Sequence, residues 1–125
     1  MRFPWGWVIT DDPLRIRSGR VDMQIDLGAE KIIAAEKGEE KIAVEIKSFI
    51  SSSNISEFHT ALGQFLNYHL ALKEQQPDRF LYLAVPKTPY ETFFQLPFVE
   101  NVIEHFQLSI IIYDPNQEVI LVWKK

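Results

Sequence analysis

The stretch Lys41-Ile42-Ala43-Val44-Glu45-Ile46-Lys47-Ser48-Phe49 decides how this chain is read. Ile42, Val44 and Ile46 alternate with Ala43, Glu45 and Lys47, the two-residue period of a β-strand. Glu45 and Lys47 therefore project from one face, two residues' rise apart. The strand is otherwise almost wholly apolar and β-branched, so both charges fall where a sheet is normally covered. An unpaired buried charge is expensive, so the two must neutralise each other, reach water, or hold something. The plainest arrangement is an edge strand with both charges solvated. The flanking sequence argues for the third.

On the amino-terminal side, Lys31 to Lys37 leads through Gly38-Glu39-Glu40 into this strand, the spacing of a β-hairpin. Before it, Val21 to Leu27 alternates again, with Val21, Met23 and Ile25 on one face and Asp22, Gln24 and Asp26 on the other, until Gly28 breaks the run or permits a bulge. Met1 to Gly19 holds Trp5 and Trp7, then Asp11-Asp12-Pro13, and reads as two short strands about a bend. On the carboxy-terminal side, Asn54-Ile55-Ser56-Glu57 is a helix start, with a capping side chain and a Glu three residues on. Phe58, Leu62, Phe65, His69 and Leu72 continue at helical spacing to about Gln75, and Pro77 ends the element. Gln64 and Tyr68 are four apart and share a helix face with Thr60. Phe80 to Val85 is a continuous apolar strand bounded by Pro86, as in a central strand covered on both faces. A second helical region spans roughly Tyr90 to Gln107, interrupted by Pro97. Ser109 to Tyr113, the turn Asp114-Pro115-Asn116 and Glu118 to Trp123 form a closing hairpin. The order predicts an α/β domain: a mixed sheet with helices against it.

Composition narrows the function classes. With 125 residues, 46% of them hydrophobic and 13% aromatic, the chain makes a single globular domain over residues 1–125. Thirteen basic against seventeen acidic residues give a net charge of −4, so any DNA surface has to be a local basic patch. The absence of cysteine excludes disulfides and thiolate metal sites. No apolar run approaches membrane-spanning length and no signal pattern opens the chain, which reads as cytoplasmic.

Two carboxylates on neighbouring strands, with a lysine two residues after one of them, can perform metal-assisted phosphodiester hydrolysis. Carboxylates are hard oxygen ligands for Mg²⁺ or Mn²⁺; the metal polarises the phosphate and lowers the pKa of an attacking water, and the lysine orients that water or neutralises developing charge. Ile25-Asp26-Leu27-Gly28-Ala29-Glu30, Ala43-Val44-Glu45-Ile46-Lys47-Ser48-Phe49, Ala61-Leu62-Gly63-Gln64-Phe65 and Leu81-Tyr82-Leu83-Ala84-Val85-Pro86 together resemble the XisH family, excision controlling factors associated with the fdxN DNA element of heterocyst-forming cyanobacteria. The resemblance covers nearly the whole chain. It implies a restriction-endonuclease-like fold of the PD-(D/E)XK superfamily, a mixed β-sheet flanked by helices. It also implies a role in developmentally controlled DNA rearrangement, with a companion protein, XisI, as partner. By the resemblance Glu45 and Lys47 match the E-x-K of the motif, Asp26 is the best match to its upstream aspartate, and Gln64 and Tyr68 match the Q-x-x-x-Y element of RecB-like members. Two departures stand out: Met1 to Trp7 is too short and wrongly composed for the opening helix usual in the family, and no proline precedes Asp26.

Hairpin geometry offers a second carboxylate. With Gly38-Glu39 as the loop, Lys37 pairs with Glu40, Glu45 faces Ile32 and Lys47 faces Glu30, whereas Asp26 lies roughly 13 Å further along a straight strand. The expectation is that Asp26 and Glu45 bracket the metal, with Glu30 as reserve ligand or as partner of Lys47. The remaining candidates read as structural. His59, His69 and His105 lack metal-ligand spacing. Glu36, Glu39 and Glu40 with Lys37 and Lys41 make a solvated hairpin end, and Phe93, Phe94, Phe98 and Phe106 read as core rather than a platform for bases. The closing hairpin is apolar on both faces and calls for a cover, a homodimer or a XisI-like companion. The function expected is that of a metal-dependent DNA endonuclease, or a nuclease-derived accessory factor in DNA element excision. The alternative is a non-catalytic protein-binding subunit that retains the fold.

Overall fold

The computed structural model describes residues 1–18, 21–23, 31–50 and 52–124. Its centre is the hairpin of β4 (Lys31–Lys37) and β5 (Glu40–Ile46). Gly38 closes the two-residue loop at φ +60°, a conformation glycine adopts without steric cost. The register is the expected one: Lys37 opposite Glu40, Val44 opposite Ile33, Glu45 opposite Ile32. β5 then runs parallel to β6 (Arg79–Pro86), and β6 parallel to β7 (Ile110–Asp114). Parallel neighbours need a crossover. α1 (Asn54–Gln75) supplies the first; the short α2 (Lys87–Glu91), a 3-10 turn (Phe93–Gln95) and α3 (Pro97–His105) supply the second. β1 (Val8–Asp11) and β8 (Val119–Lys124) add antiparallel edges, giving a six-stranded sheet in the order β1-β4-β5-β6-β7-β8. β2 (Ile16–Ser18) and β3 (Val21–Met23) form a separate two-stranded ribbon. The fold is thus the mixed α/β sheet with helices that the resemblance implied, and β5 and β6 lie at its middle rather than at an edge.

Strand alternation divides the core in two. One face presents Ile32, Ala34, Ala43, Leu81, Leu83, Val85, Ile110 and Ile112 to α1, the 3-10 turn and α3, which bury Phe58, Ala61, Phe65, Tyr68, Leu72, Phe94 and Val99 against it. The other presents Ile33, Ala35, Ile42, Val44, Ile46, Tyr82, Ala84, Ile111 and Tyr113, against which Met1, Phe3, Trp7, Ile120 and Trp123 pack. Among the described residues every helix lies on the first face, and the second is covered by the irregular segment before β1. Gly6, at φ +94°, turns that segment so that Trp7 packs against Trp123, tilted by 31° with centroids 5.3 Å apart, while Trp5 is 93% exposed.

Several local expectations are revised. The cap of α1 is Ser53, whose hydroxyl accepts from the Ser56 amide, one residue earlier than Asn54. The second helical region begins at Lys87 and falls into three short pieces, with Pro97 opening α3 at the first-turn position where its missing N–H costs nothing. Of the four phenylalanines read as core, Phe94 is buried and Phe93 packs against it, but Phe98 and Phe106 are exposed because α3 inserts only one narrow stripe. Trp123 of the closing hairpin is covered by the chain's own Phe3 and Trp7, while Leu121 and Val122 stay exposed.

The hairpin end is not wholly solvated either. Arg79, at the start of β6, donates to Gln76 Oε1 (2.7 Å), to the Ile42 carbonyl (2.9 Å) and to Glu36 Oε2 (3.0 Å), with its own side chain nearly buried. It ties β4, β5 and β6 together at one end. Arg79→Ala therefore removes three charge-assisted bonds and strands the half-covered Glu36. A loss of about 3 kcal/mol is expected from urea midpoints, the scale for breaking a largely buried pair, whereas Lys41→Ala, which breaks only the exposed 3.7 Å pair with Asp78, should change stability by less than about 1 kcal/mol.

Candidate functional site

Glu45 and Lys47 sit on the helix-covered face of β5, Glu45 2% and Lys47 0% exposed. Lys47 continues the sheet beyond the last residue of the strand: its amide donates to the Ala84 carbonyl (3.0 Å) and its carbonyl accepts from the Tyr113 hydroxyl (2.9 Å). The backbone is thereby held from both directions. Phe49, at φ +53°, then turns the chain out of the sheet towards α1 and is itself buried edge-on against Phe94. Because β6 is parallel to β5, α1 returns antiparallel across this face. Its first turn brings Glu57 Oε2 to 4.0 Å from Lys47 Nζ. A carboxylate there is also favoured by the helix dipole.

Glu45 is placed differently. Both its oxygens are buried, and no hydrogen bond reaches either among the described residues. Burial alone pushes its pKa up from 4.5 to about 8, so the side chain is largely protonated at neutral pH. Burial also lowers the Lys47 pKa, an effect opposed by the charge of Glu57. Of the three outcomes open to such a pair, mutual neutralisation gives way to a Lys47–Glu57 contact, and escape to water is closed by burial. The carboxyl is thus held on a central strand as a buried, largely neutral group.

The helix contributions follow from spacing. From Glu57, beside Lys47, α1 continues through Ala61 and Gln64 to Tyr68, and Ala61 and Tyr68 join the core cluster on the face that carries Ala43. Ala61 is fully buried and presents only a methyl. Gln64 Oε1 is buried and, like the Glu45 oxygens, receives no hydrogen bond among the described residues; Tyr68 is buried in the cluster that holds Ala43 and Ile32. Neither faces bulk solvent. Asp26 and Glu30 lie outside the described residues, as does the pairing of Lys47 with Glu30. Glu57 is the member that the sequence left unassigned to the site. Its sequence signal, a carboxylate in the first turn of the crossover helix, is equally that of a helix start. Among the described residues no three His, Cys, Asp or Glu side chains gather into a metal cluster.

A six-stranded mixed sheet, with an acidic residue and a lysine two apart on the helix-covered face at its middle, defines a mixed α/β fold with a buried ionisable pair. The family model for the XisH protein matches residues 5–121, and the chain belongs to the XisH family. It is similar over 96% of its length to an XisH family protein from Nostoc punctiforme, with 56% identity, a TM-score of 0.86 and 89% of that chain covered. It is equally similar to an fdxN element excision controlling factor protein from Anabaena variabilis, with 55% identity, a TM-score of 0.86 and 88% of that chain covered. No curated protein matches the chain significantly. None of the described helices is long and apolar enough to cross a membrane.

The raised pKa of Glu45 makes stability pH-dependent with a defined sign. Between pH 4.5 and about 8 the folded carboxyl keeps a proton that the unfolded chain has released, so stability falls as pH rises through that window. The full span is on the order of 4 kcal/mol. In urea titrations the wild type should lose stability steadily from about pH 5 to about pH 8, and Glu45→Gln should flatten that slope and exceed the wild type at the alkaline end.

Proposed function

We propose that this chain is a metal-dependent nuclease-type factor acting in the excision of a DNA element, with phosphodiester hydrolysis at Glu45 and Lys47. The carrying observation is the buried Glu45 carboxyl, whose two oxygens receive no hydrogen bond among the described residues. A structural glutamate would be paired; natural sequences break the rule of satisfied polar groups chiefly where function requires it. Membership of the XisH family and the 55% identity to an fdxN element excision controlling factor supply the biological setting.

The donor set fits a hard divalent cation. Glu45 offers two carboxyl oxygens and Gln64 an amide oxygen, all without hydrogen bonds among the described residues, and hard oxygen donors suit Mg²⁺ or Mn²⁺. Asp26 is the proposed further ligand, with Glu30 in reserve. When bound, such an ion polarises the phosphate and acidifies a water ligand. The chain's own residues do the rest. Glu45 gives up its proton, which its desolvated position makes easy to exchange near neutral pH. Lys47, on the same face and held through its backbone by Ala84 and Tyr113, places a positive charge beside the phosphate; Glu57 anchors the ammonium. Tyr68 fixes the level of α1 over the strand. DNA is the proposed substrate and a XisI-like protein the proposed companion, in the cytoplasm; that companion or a second copy would cover the exposed Leu121 and Val122 edge.

One observation favours the second interpretation, a non-catalytic subunit that keeps the fold. Glu45 and Lys47 are so fully covered that a DNA phosphate reaches them only after the covering chain moves. Cleavage assays separate the two. With Mg²⁺ or Mn²⁺, with and without the companion, the wild type should cut DNA and Lys47→Ala should cut at least about 100-fold more slowly, the scale for losing one group that stabilises developing charge. No cutting under any of these conditions, together with unaltered companion binding by Lys47→Ala, would establish the non-catalytic subunit. Mn²⁺ should also raise the melting temperature of the wild type but not of Glu45→Gln, and more strongly as pH rises through about 8, since proton and metal compete for the same oxygens.

A further inference from the structure

A cavity of about 320 Å³ opens on the sheet face opposite Glu45, at the other end of β5. Its walls are Trp7, Phe80, Tyr82 and Trp123, and its rim carries Glu39, Glu40, Lys41 and Asp78. The rings touch one another: Tyr82 meets Trp123 at 84° and 5.4 Å, Phe80 meets Tyr82 at 52° and 5.1 Å, and Trp7 is tilted 31° from Trp123 at 5.3 Å. Together they line an open box floored by the buried Tyr82, in which the accessible ring surface is that of Trp7, Phe80 and Trp123. The rim is acidic. Lys41 lies 3.7 Å from Asp78, which leaves Glu39 and Glu40, both exposed, as two carboxylates in excess over the one ammonium.

We propose that this box binds an arginine side chain of a partner protein. Aromatic faces attract a cation through their quadrupole, and the planar guanidinium also stacks on indole and phenol rings, which a compact ammonium does not. The carboxylates at the mouth match the five fixed N–H donors of the guanidinium. A protein is the source because the box is continuous with a largely unpaired protein edge. Trp123 belongs to β8, an edge strand whose outer side is bridged by Arg2 at Val119 and, beyond that bridge, has no strand partner among the described residues and exposes Leu121 and Val122; Phe80 of the wall is exposed as well. A strand edge flanked by apolar side chains is a surface for polypeptide. This site lies on the other face of the sheet from Glu45 and stands whether or not Glu45 and Lys47 are catalytic.

The test uses tryptophan fluorescence in the full chain carrying Trp5→Phe, which leaves Trp7 and Trp123 as the emitting residues. Acetyl-arginine amide should change the emission saturably, whereas acetyl-citrulline amide, the same shape without charge, and acetyl-norleucine amide should bind at least about ten-fold more weakly. Glu39→Gln with Glu40→Gln, on exposed residues that leave folding intact, should weaken the arginine probe several-fold, and more at low than at high salt. Phe80→Leu should weaken it with the melting temperature retained. Equal binding of the citrulline or norleucine probe, no saturable binding, or an unaltered response in the double glutamine variant would each overturn the proposal.

Discussion

The structure depends on one constraint: β5 has to be covered on both faces while carrying two ionisable groups on one of them. A strand buried on both sides needs neighbours on both edges, and here the neighbours differ. The tight loop at Gly38 makes β4 antiparallel, and α1 makes β6 parallel. That choice fixes the site. A parallel neighbour demands a crossover, and the crossover helix must start where β5 ends, so its first turn delivers Glu57 to Lys47. The same helix buries Ala61, Phe65 and Tyr68 in the core on that face. The helix that completes the sheet therefore also supplies the carboxylate beside Lys47.

The energetics of this arrangement are uneven. Lys47 has a carboxylate near it and a backbone held by Ala84 and Tyr113, so its position is over-determined. Glu45 has neither water nor, among the described residues, a hydrogen bond, and it relieves the desolvation by keeping its proton. A glutamine or a leucine would be cheaper at that position. Retaining an acid there ties the stability of the fold to pH, since the proton is lost only as pH rises through about 8. On the opposite face the buried ionisable groups among the described residues are the phenols of Tyr82 and Tyr113, neutral at about pH 7. There the aromatic residues of the amino-terminal segment do the covering, and four of the rings left between that segment and the sheet form a box open to solvent.

How much of this was legible in the sequence can be judged from particular residues. The alternation of Ile42, Val44 and Ile46 against Ala43, Glu45 and Lys47 specified both faces of β5, because a two-residue period leaves no other assignment. Gly38 specified the hairpin and hence its register. The apolar run from Phe80 to Val85 specified a central strand, and the periodicity from Phe58 to Leu72 specified α1 to within its cap. These are local rules of backbone and pattern, and they operate before any tertiary contact exists.

What only the tertiary structure decided depends on distance across the fold. Phe98 and Phe106 have the spacing of core residues yet stay exposed, because which residues of α3 and its cap are buried depends on how the helix docks on the core through Val99 rather than on its own sequence. Glu36 reads as a solvated charge until Arg79, forty-three residues on, is brought beside it by the parallel pairing of β5 and β6. Glu57 reads as a cap residue until the crossover places it against Lys47. The box of Trp7, Phe80, Tyr82 and Trp123 draws on four separate elements, and no local pattern joins them. The sequence by itself determined the strands, the helices and the face on which Glu45 and Lys47 stand, since those follow from short-range periodicity. Their partners were decided by the fold, since burial and charge pairing are set by residues that meet only when the sheet closes.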